Sequence, residues 1–292
     1  MYQSLLSVLL MGMVPTLFSP LSIQEQTPIS LISISEPSME KIIIEDRLSA
    51  SGVIIMDLNS GQNLYEKQAV VRRPMASLTK LMTALLIVEN HDMDEIVTIP
   101  DWATEIDGNV ASLKPGNKFR VGDLLSALLI SSANDAAQVL AAFHAGSVSD
   151  FVDQMNERAI QLGLKETSFA NPSGLDHPRQ WSTPRDIAWL SGFAIQKEPI
   201  SDLMHIKWKR IKSQEGTVIP LSHTHAMLHT TSPVVAGKTG TTNAAGQCLV
   251  SVVENEGHSY IVVILNSRNR YADMKTILKL LVPEEEVIAG VS

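Results

Sequence analysis

The feature that most constrains the fold is a pair of β-branched runs near the C-terminal end. Leu249-Val250-Ser251-Val252-Val253 and Tyr260-Ile261-Val262-Val263-Ile264-Leu265 flank the polar turn Glu254-Asn255-Glu256-Gly257-His258. Short apolar runs around a glycine turn read as an antiparallel hairpin. A lone hairpin is marginal in water and needs further strands. The best candidates lie at the opposite end of the sequence, where Ser51-Gly52-Val53-Ile54-Ile55-Met56-Asp57, the turn Asn59-Ser60-Gly61 and Asn63-Leu64-Tyr65 read as a second hairpin. Between them the period changes. Leu78, Leu81, Met82, Leu85 and Leu86 follow the i, i+3, i+4, i+7, i+8 spacing of a buried helix face over Leu78–Val88. Further helices are expected at Val121–Leu129, Asn134–Phe143, Val148–Leu162, Pro184–Ala194 and Ala272–Leu281, with Thr183 as an N-cap and Pro184 in a first turn. No repeat of fixed period is visible. The expected class is therefore α+β: one antiparallel β-sheet assembled from distant segments, flanked by helices, with a helical lobe.

The 292 residues are 45% hydrophobic and 18% charged, enough to bury a sizeable core. A net charge of −8 leaves no basic stripe, and neutralising phosphates takes clustered Lys and Arg, so nucleic-acid binding is set aside. Cys248 is the only cysteine, which excludes an intramolecular disulfide or a thiolate metal cluster and reads as a small apolar core residue. His223-x-His225-x-x-x-His229 has a spacing that can chelate zinc, but no carboxylate or cysteine nearby completes a site. No metal and no cofactor are expected. Trp102, Trp181, Trp189 and Trp208 read as core or groove-wall aromatics.

Residues 1–22 include an almost wholly apolar stretch from Leu5 to Leu17 and read as a signal peptide or N-terminal anchor, although no Lys or Arg precedes the run and no small-x-small cleavage site follows it. Pro15 and the shortness of the run argue against a stable membrane span. Residues 23–47 read as a linker, 48–282 as the folded domain, and 283–292 as a short solvated tail. The expectation is an exported protein whose membrane association, if it has one, lies at the N-terminus.

Three short motifs occur in order: Ser77-Leu78-Thr79-Lys80, Ser132-Ala133-Asn134 and Lys238-Thr239-Gly240. The first two are weak alone, since Ser38-Met39-Glu40-Lys41 also fits S-x-x-K and Ser267-Arg268-Asn269 also fits S-x-N. Context separates them, because Ser77 opens a strongly apolar helix whereas Ser38 lies in the linker. On a helix, i and i+3 share a face, so the Lys80 amine can reach the Ser77 hydroxyl. Serine needs a base to attack, and lysine is one only if its pKa falls; burial, a helix start and a second cation such as Lys238 all push it down. A helix start also aims the Ser77 backbone N–H at a reacting carbonyl, and a strand edge around Lys238-Thr239-Gly240-Thr241 suits the second donor of an oxyanion hole.

Together the motifs resemble the penicillin-binding proteins and serine β-lactamases, whose set is S-x-x-K, S-D-N or its variants, and K-T-G. The flanks resemble the low-molecular-mass D-alanyl-D-alanine carboxypeptidases: Arg72-Arg73-Pro74-Met75-Ala76-Ser77-Leu78-Thr79-Lys80, Leu113-Lys114-Pro115-Gly116, Ser132-Ala133-Asn134-Asp135-Ala136, Asn171-Pro172-Ser173-Gly174-Leu175 and Lys238-Thr239-Gly240-Thr241-Thr242. The resemblance spans Leu48 to Leu281. It implies a β-lactamase/DD-peptidase-like transpeptidase fold, with Ser77 as acylated nucleophile, Lys80 as general base, and Ser132 and Asn134 relaying protons and holding the substrate amide. Lys238 and Thr239 would bind the terminal carboxylate, and the N–H groups of Ser77 and Thr241, beside Gly240, would form the oxyanion hole. The implied partners are peptidoglycan stem peptides, with β-lactams as covalent inhibitors, at the periplasm or outer face of the cytoplasmic membrane. The sequence departs from many relatives in having Ala133 where glycine is common, and no C-terminal amphipathic anchor is expected after Leu281.

Three rivals remain. A DD-endopeptidase of the same family would cut crosslinks instead of terminal D-Ala. A β-lactamase needs a second carboxylate base, which Glu166-Thr167-Ser168-Phe169-Ala170-Asn171 offers only with an extra residue of spacing. A silent binding module would be marked by loss of Ser77, Lys80 or Lys238, all of which are present.

Overall fold

The structure, a computed structural model, describes residues 47–282. The export segment, nearly all of the linker with Ser38 and Lys41, and the tail from residue 283 lie outside the described residues. The N-terminal hairpin pairs β1 (Gly52–Asp57) with β2 (Asn63–Lys67), antiparallel. Its turn is built by the first motif that chain order supplies: the Asp57 carboxylate accepts the N–H groups of Asn59 and Ser60, each at 2.8 Å, so the side chain mimics a backbone turn. Two small antiparallel pairs follow, β3 (Ile96–Thr98) with β4 (Lys118–Arg120) and β5 (Trp208–Lys212) with β6 (Val218–Ser222). Strands β7 (Val234–Thr242), β8 (Gly246–Asn255) and β9 (His258–Ser267) complete the main five-stranded sheet in the order β2-β1-β9-β8-β7. The two hairpins expected at opposite ends of the sequence thus meet along β1 and β9, from Gly52 opposite Leu265 to Asp57 opposite Tyr260.

Both faces of this sheet are covered, which is why β1 reads as a continuous apolar run instead of an alternating one. Val53 and Ile55 point to a cluster with Leu249, Val262, Ile264, Met274 and Ile277. Ile54 and Met56 point the other way, into the main core with Val250, Ile261 and Val263. The helices of that core are α1 (Lys80–Asn90), α2 (Val121–Leu129), α3 (Asn134–Ala145), α4 (Val148–Gln161), α5 (Pro184–Ile195) and α6 (Glu198–His205). The opposite face carries α7 (Arg270–Leu281). On and just before α1, Leu78, Leu81, Met82 and Leu85 are fully buried, and each contributes about 2 kcal/mol by leaving water. The expected cap of α5 is present, with Thr183 accepting the Asp186 N–H and Pro184 in the first turn.

Several elements differ from expectation. Ser77 does not open the α-helix; it lies in a 3₁₀ turn, Ala76–Thr79, that precedes α1. The β5/β6 hairpin was not visible in the sequence because it buries only Ile211 and Leu221, while Trp208, Arg210 and Lys212 share its open face. Trp102, Trp189 and Trp208 are 36%, 48% and 66% exposed, so they are surface aromatics and not core ones. Cys248 is buried, and burial pushes its thiol up to about 11, as an inert core residue requires.

Candidate active site

The 3₁₀ turn decides the first contact. In that geometry residues i and i+3 eclipse, so Ser77 and Lys80 line up more directly than on an α-helix. Lys80 Nζ lies 3.0 Å from Ser77 Oγ, 2.7 Å from Asn134 Oδ1 and 2.7 Å from the Ser173 carbonyl. Lys80 is fully buried, and burial, then the Lys238 ammonium, hold it well below the usual lysine range, with Asp135 opposing. A neutral amine has two N–H donors and one lone pair. Here it meets two obligate acceptors and one hydroxyl, so in the neutral form its lone pair faces the Ser77 hydroxyl.

Asn134 begins α3, and its amide is fixed from both ends. Oδ1 accepts from Lys80, and Nδ2 donates to the Asp107 carbonyl at 2.8 Å. Asn134 therefore orients Lys80 and keeps one N–H without a partner in these contacts. Asp135 anchors the facing loop, its carboxylate accepting the N–H groups of Ala111 and Leu113 at 3.0 and 3.1 Å. Ser132 sits just before α3 at φ 61°, a left-handed conformation that a serine adopts only under local constraint. The Lys238 ammonium donates to Ser132 Oγ at 2.7 Å and to the Thr239 carbonyl at 2.9 Å. Burial, and then the Arg270 guanidinium, push Lys238 down to about 7.

Strand β7 brings in the remaining residues. A Cβ on Gly240 would come within 2.8 Å of the Ser77 nitrogen, so only glycine allows the strand to lie this close to the Ser77 turn. Thr239 Oγ1 is held at 2.6 Å by Thr224 Oγ1. Arg270 ties the strand from behind, donating to the carbonyls of Gly240 and Cys248 and to Thr241 Oγ1, each at 2.8 Å. The sequence reading missed Arg270, Thr224 and the Ser173 carbonyl. Asn269 was the available signal for the first: it caps α7, accepting the Ala272 N–H, and so places Arg270 at the helix start.

The loop 171–181 closes the other side. Asn171 Oδ1 accepts the N–H groups of Gly174 and Leu175 at 2.7 and 3.1 Å, Thr83 holds the Pro172 carbonyl at 2.7 Å, and Gln180 donates to Thr79 Oγ1 at 2.7 Å. Gly174, at φ +89°, is packed so tightly that a Cβ would lie 2.0 Å from the Ala76 carbonyl oxygen and 2.9 Å from the Ser77 nitrogen. Gly174→Ala is expected to destabilise the protein by about 2–4 kcal/mol, from strained backbone plus overpacking, and to slow acylation of what remains folded. Thermal denaturation together with the penicillin acylation rate checks both effects.

Each of the histidines considered for zinc has one ring nitrogen in a hydrogen bond, while His223 Nε2 and His225 Nδ1 are buried without a partner among the described residues. His223 Nδ1 accepts the His225 N–H at 3.0 Å, His225 Nε2 meets Ser251 Oγ at 2.8 Å, and His229 Nε2 meets the His223 carbonyl at 2.8 Å. Burial holds His223 and His225 down near about 3, so both are neutral. No group of three potential metal ligands converges among the described residues. Glu166 is turned outward to Arg72.

The family model for D-alanyl-D-alanine carboxypeptidase matches residues 39–269. The chain belongs to the D-alanyl-D-alanine carboxypeptidase family. Within it, the chain is 35% identical to the D-alanyl-D-alanine carboxypeptidase DacC of Escherichia coli over 246 residues, 78% of this chain and 59% of that one. It is 29% identical to a D-alanyl-D-alanine endopeptidase of Pseudomonas aeruginosa over 269 residues, 91% of this chain and 85% of the other. The fold is similar to that of a Streptomyces DD-transpeptidase, with a TM-score of 0.74 and 29% identity over 80% of this chain and 96% of that structure. The DD-peptidase fold and the serine DD-peptidase family inferred from the three motifs are therefore correct.

Proposed function

We propose that the chain is a serine-type carboxypeptidase that removes the terminal D-Ala from peptidoglycan stem peptides. The observation that carries this is the Lys80 amine: buried, held between two acceptors, and within 3.0 Å of the Ser77 hydroxyl. Ser77 Oγ attacks the penultimate D-Ala carbonyl while its proton passes to Lys80 Nζ. The resulting oxyanion lies between the N–H groups of Ser77 and Thr241, where fixed donors stabilise charge as it develops. The C–N bond then breaks, and the departing amine takes its proton through Ser132, whose oxygen is oriented by Lys238. Water repeats the sequence on the acyl-serine, again with Lys80 as base. Lys238 and Thr239 hold the free carboxylate of the substrate, and a β-lactam carboxylate would occupy the same place.

The family acts on the bacterial cell wall, which supports a location outside the cytoplasmic membrane. Residues 1–22 would provide export or an anchor. No described helix is long and apolar enough to cross a membrane.

The decisive experiment is intact-mass analysis with penicillin, followed by release of D-Ala from a pentapeptide stem. A one-to-one adduct with D-Ala release supports the carboxypeptidase. An adduct without release moves the assignment to a crosslink-cutting endopeptidase, and no adduct overturns the nucleophile.

The two lysines also set a pH profile. Acylation needs Lys80 neutral and Lys238 charged. Burial and the Lys238 ammonium hold Lys80 well below the usual lysine range, and activity grows as pH rises through its titration. Activity then falls as Lys238 deprotonates near about 7. The expected kcat/KM profile is a bell whose alkaline limb lies near neutrality. In kcat that limb should move to higher pH, because a bound carboxylate favours the charged form of Lys238. Steady-state rates across the pH range test both statements, and coincident alkaline limbs would remove Lys238 from the carboxylate site.

A further inference from the structure

The β5/β6 hairpin, away from the catalytic cluster, concentrates positive charge. Lys207-Trp208-Lys209-Arg210-Ile211-Lys212 holds four cations and no acid, in a protein whose net charge is −8. Strand alternation sorts these side chains between two faces. Ile211 and Leu221 are buried in the main core, and the Lys209 ammonium donates to Ser126 Oγ of α2 at 2.9 Å. On the other face stand Trp208, Arg210 and Lys212, opposite Ser222, Pro220 and Val218 in register. All six are exposed, and nothing in the described fold covers Trp208 or Val218, which are 66% and 52% exposed.

This face is preformed. The Ser213 N–H donates to the Thr217 carbonyl at 2.9 Å and closes the turn, and the Gln214 N–H donates to the Lys118 carbonyl of β4 at 2.9 Å and pins the tip. A surface fixed in advance loses little entropy on docking. Glu215, the one acid of the turn, is drawn aside to accept the Lys118 N–H at 2.8 Å. Among the described residues, Lys207, Arg210 and Lys212 take part in no ion pair. Uncompensated cations gathered on one face of an acidic protein complement an anionic partner. The apolar share of the face says which kind. A soluble polyanion needs charge alone, whereas an anionic bilayer offers headgroup phosphates to Arg210 and Lys212 and an apolar boundary to Trp208 and Val218. Tryptophan beside lysine and arginine is the composition of membrane–water interfaces.

We propose that the open face of the β5/β6 hairpin docks on an anionic phospholipid surface, with Arg210 and Lys212 on the headgroups and Trp208 at the apolar boundary. The hairpin leads into Thr224, which touches Thr239, so this contact would hold the groove close to the bilayer. The inference goes beyond the DD-peptidase reading and does not depend on it. Flotation of the full chain tests it, with vesicles of phosphatidylcholine alone or mixed equally with phosphatidylglycerol. Residues 1–40 contain no Lys or Arg, so the difference between the two vesicles reports cations of the folded domain. Arg210→Gln with Lys212→Gln should lower partition onto the mixed vesicles by roughly thirtyfold and leave the neutral ones unchanged. Lys275→Gln with Lys279→Gln removes the same charge from the exposed side of α7 and should cost less than about threefold. The emission that Trp208→Phe removes should shift to the blue on mixed vesicles only. Equal partition onto the two vesicles, or equal losses from the two double variants, would overturn the docking face. Binding to soluble polyphosphate without binding to vesicles would overturn it in favour of a soluble polyanion. A dimer in vesicle-free solution that Arg210→Gln with Lys212→Gln dissociates would overturn it in favour of a second copy. Penicillin labelling should be unchanged in both double variants. An unlabelled wild-type chain that still binds mixed vesicles would remove the DD-peptidase reading and leave the docking face.

Discussion

Ser77→Ala is expected to abolish covalent labelling by penicillin and to lower D-Ala release by about 10⁴-fold or more. Losses of that size follow when the nucleophile is removed from a group of residues that act as a unit. No neighbouring hydroxyl can take over. Ser132 is held at φ 61° with its oxygen fixed 2.7 Å from the Lys238 nitrogen, and it lies outside the Ser77 turn whose N–H is half of the proposed oxyanion hole. Thr79 donates its hydroxyl to the Ala76 carbonyl at 2.9 Å and faces the core. The change also leaves the fold little disturbed, because Ser77 is only half-buried and the turn around it is held by Gly174, Gly240 and Gln180. Intact-mass analysis after penicillin, with unfolding temperature as a control, gives the answer. A folded Ser77→Ala protein that still forms a one-to-one adduct would mean the nucleophile lies elsewhere.

What could be read from the sequence depended on whether an interaction was local. The Ser77–Lys80 pair is three residues apart, and any helical turn brings such residues together, so its contact followed from spacing. The helix boundaries of α2 and α5 were legible for the same reason, through apolar period and an N-cap. Ser132 and Lys238 are distant in the chain, and their 2.7 Å contact depends on how the sheet edge meets the helical lobe. Only resemblance to a family placed them together. The cap at Asn269 marks Arg270 as the start of a helix but not what it touches: only the order β9-β8-β7 brings the start of α7 behind the Gly240 carbonyl. The second S-x-N match, Ser267-Arg268-Asn269, shows how weak that motif is alone. Ser267 donates to Asp273 Oδ2 at 2.6 Å and Asn269 caps α7, so both are structural. The role given to Asn134 also became sharper, because the same amide that was expected to hold substrate already orients Lys80.

Lys80→Met and Lys80→Arg together separate a base from a charge. Methionine keeps most of the aliphatic stem but has no lone pair able to take the Ser77 proton. Loss of a positioned base typically costs 10²–10⁴-fold, so acylation by penicillin and release of D-Ala should both fall by about that factor. Methionine also leaves Asn134 Oδ1 and the Ser173 carbonyl without their donor in a buried place, at about 1–3 kcal/mol each. Removing an amine whose desolvation is unfavourable offsets part of that, so the fold should persist with a modestly lower melting temperature. Arginine restores positive charge and donors, yet stays protonated throughout the accessible pH range and cannot act as base. If Lys80 served only to hold Asn134 and the 171–181 loop, arginine would recover activity and either variant would keep the wild-type pH profile at reduced amplitude. If Lys80 is the base, arginine is as inactive as methionine, and the acid limb of the kcat/KM profile disappears in both, because that limb is the titration of Lys80 itself. The shape of the profile therefore discriminates even when the absolute rates of the two variants are alike.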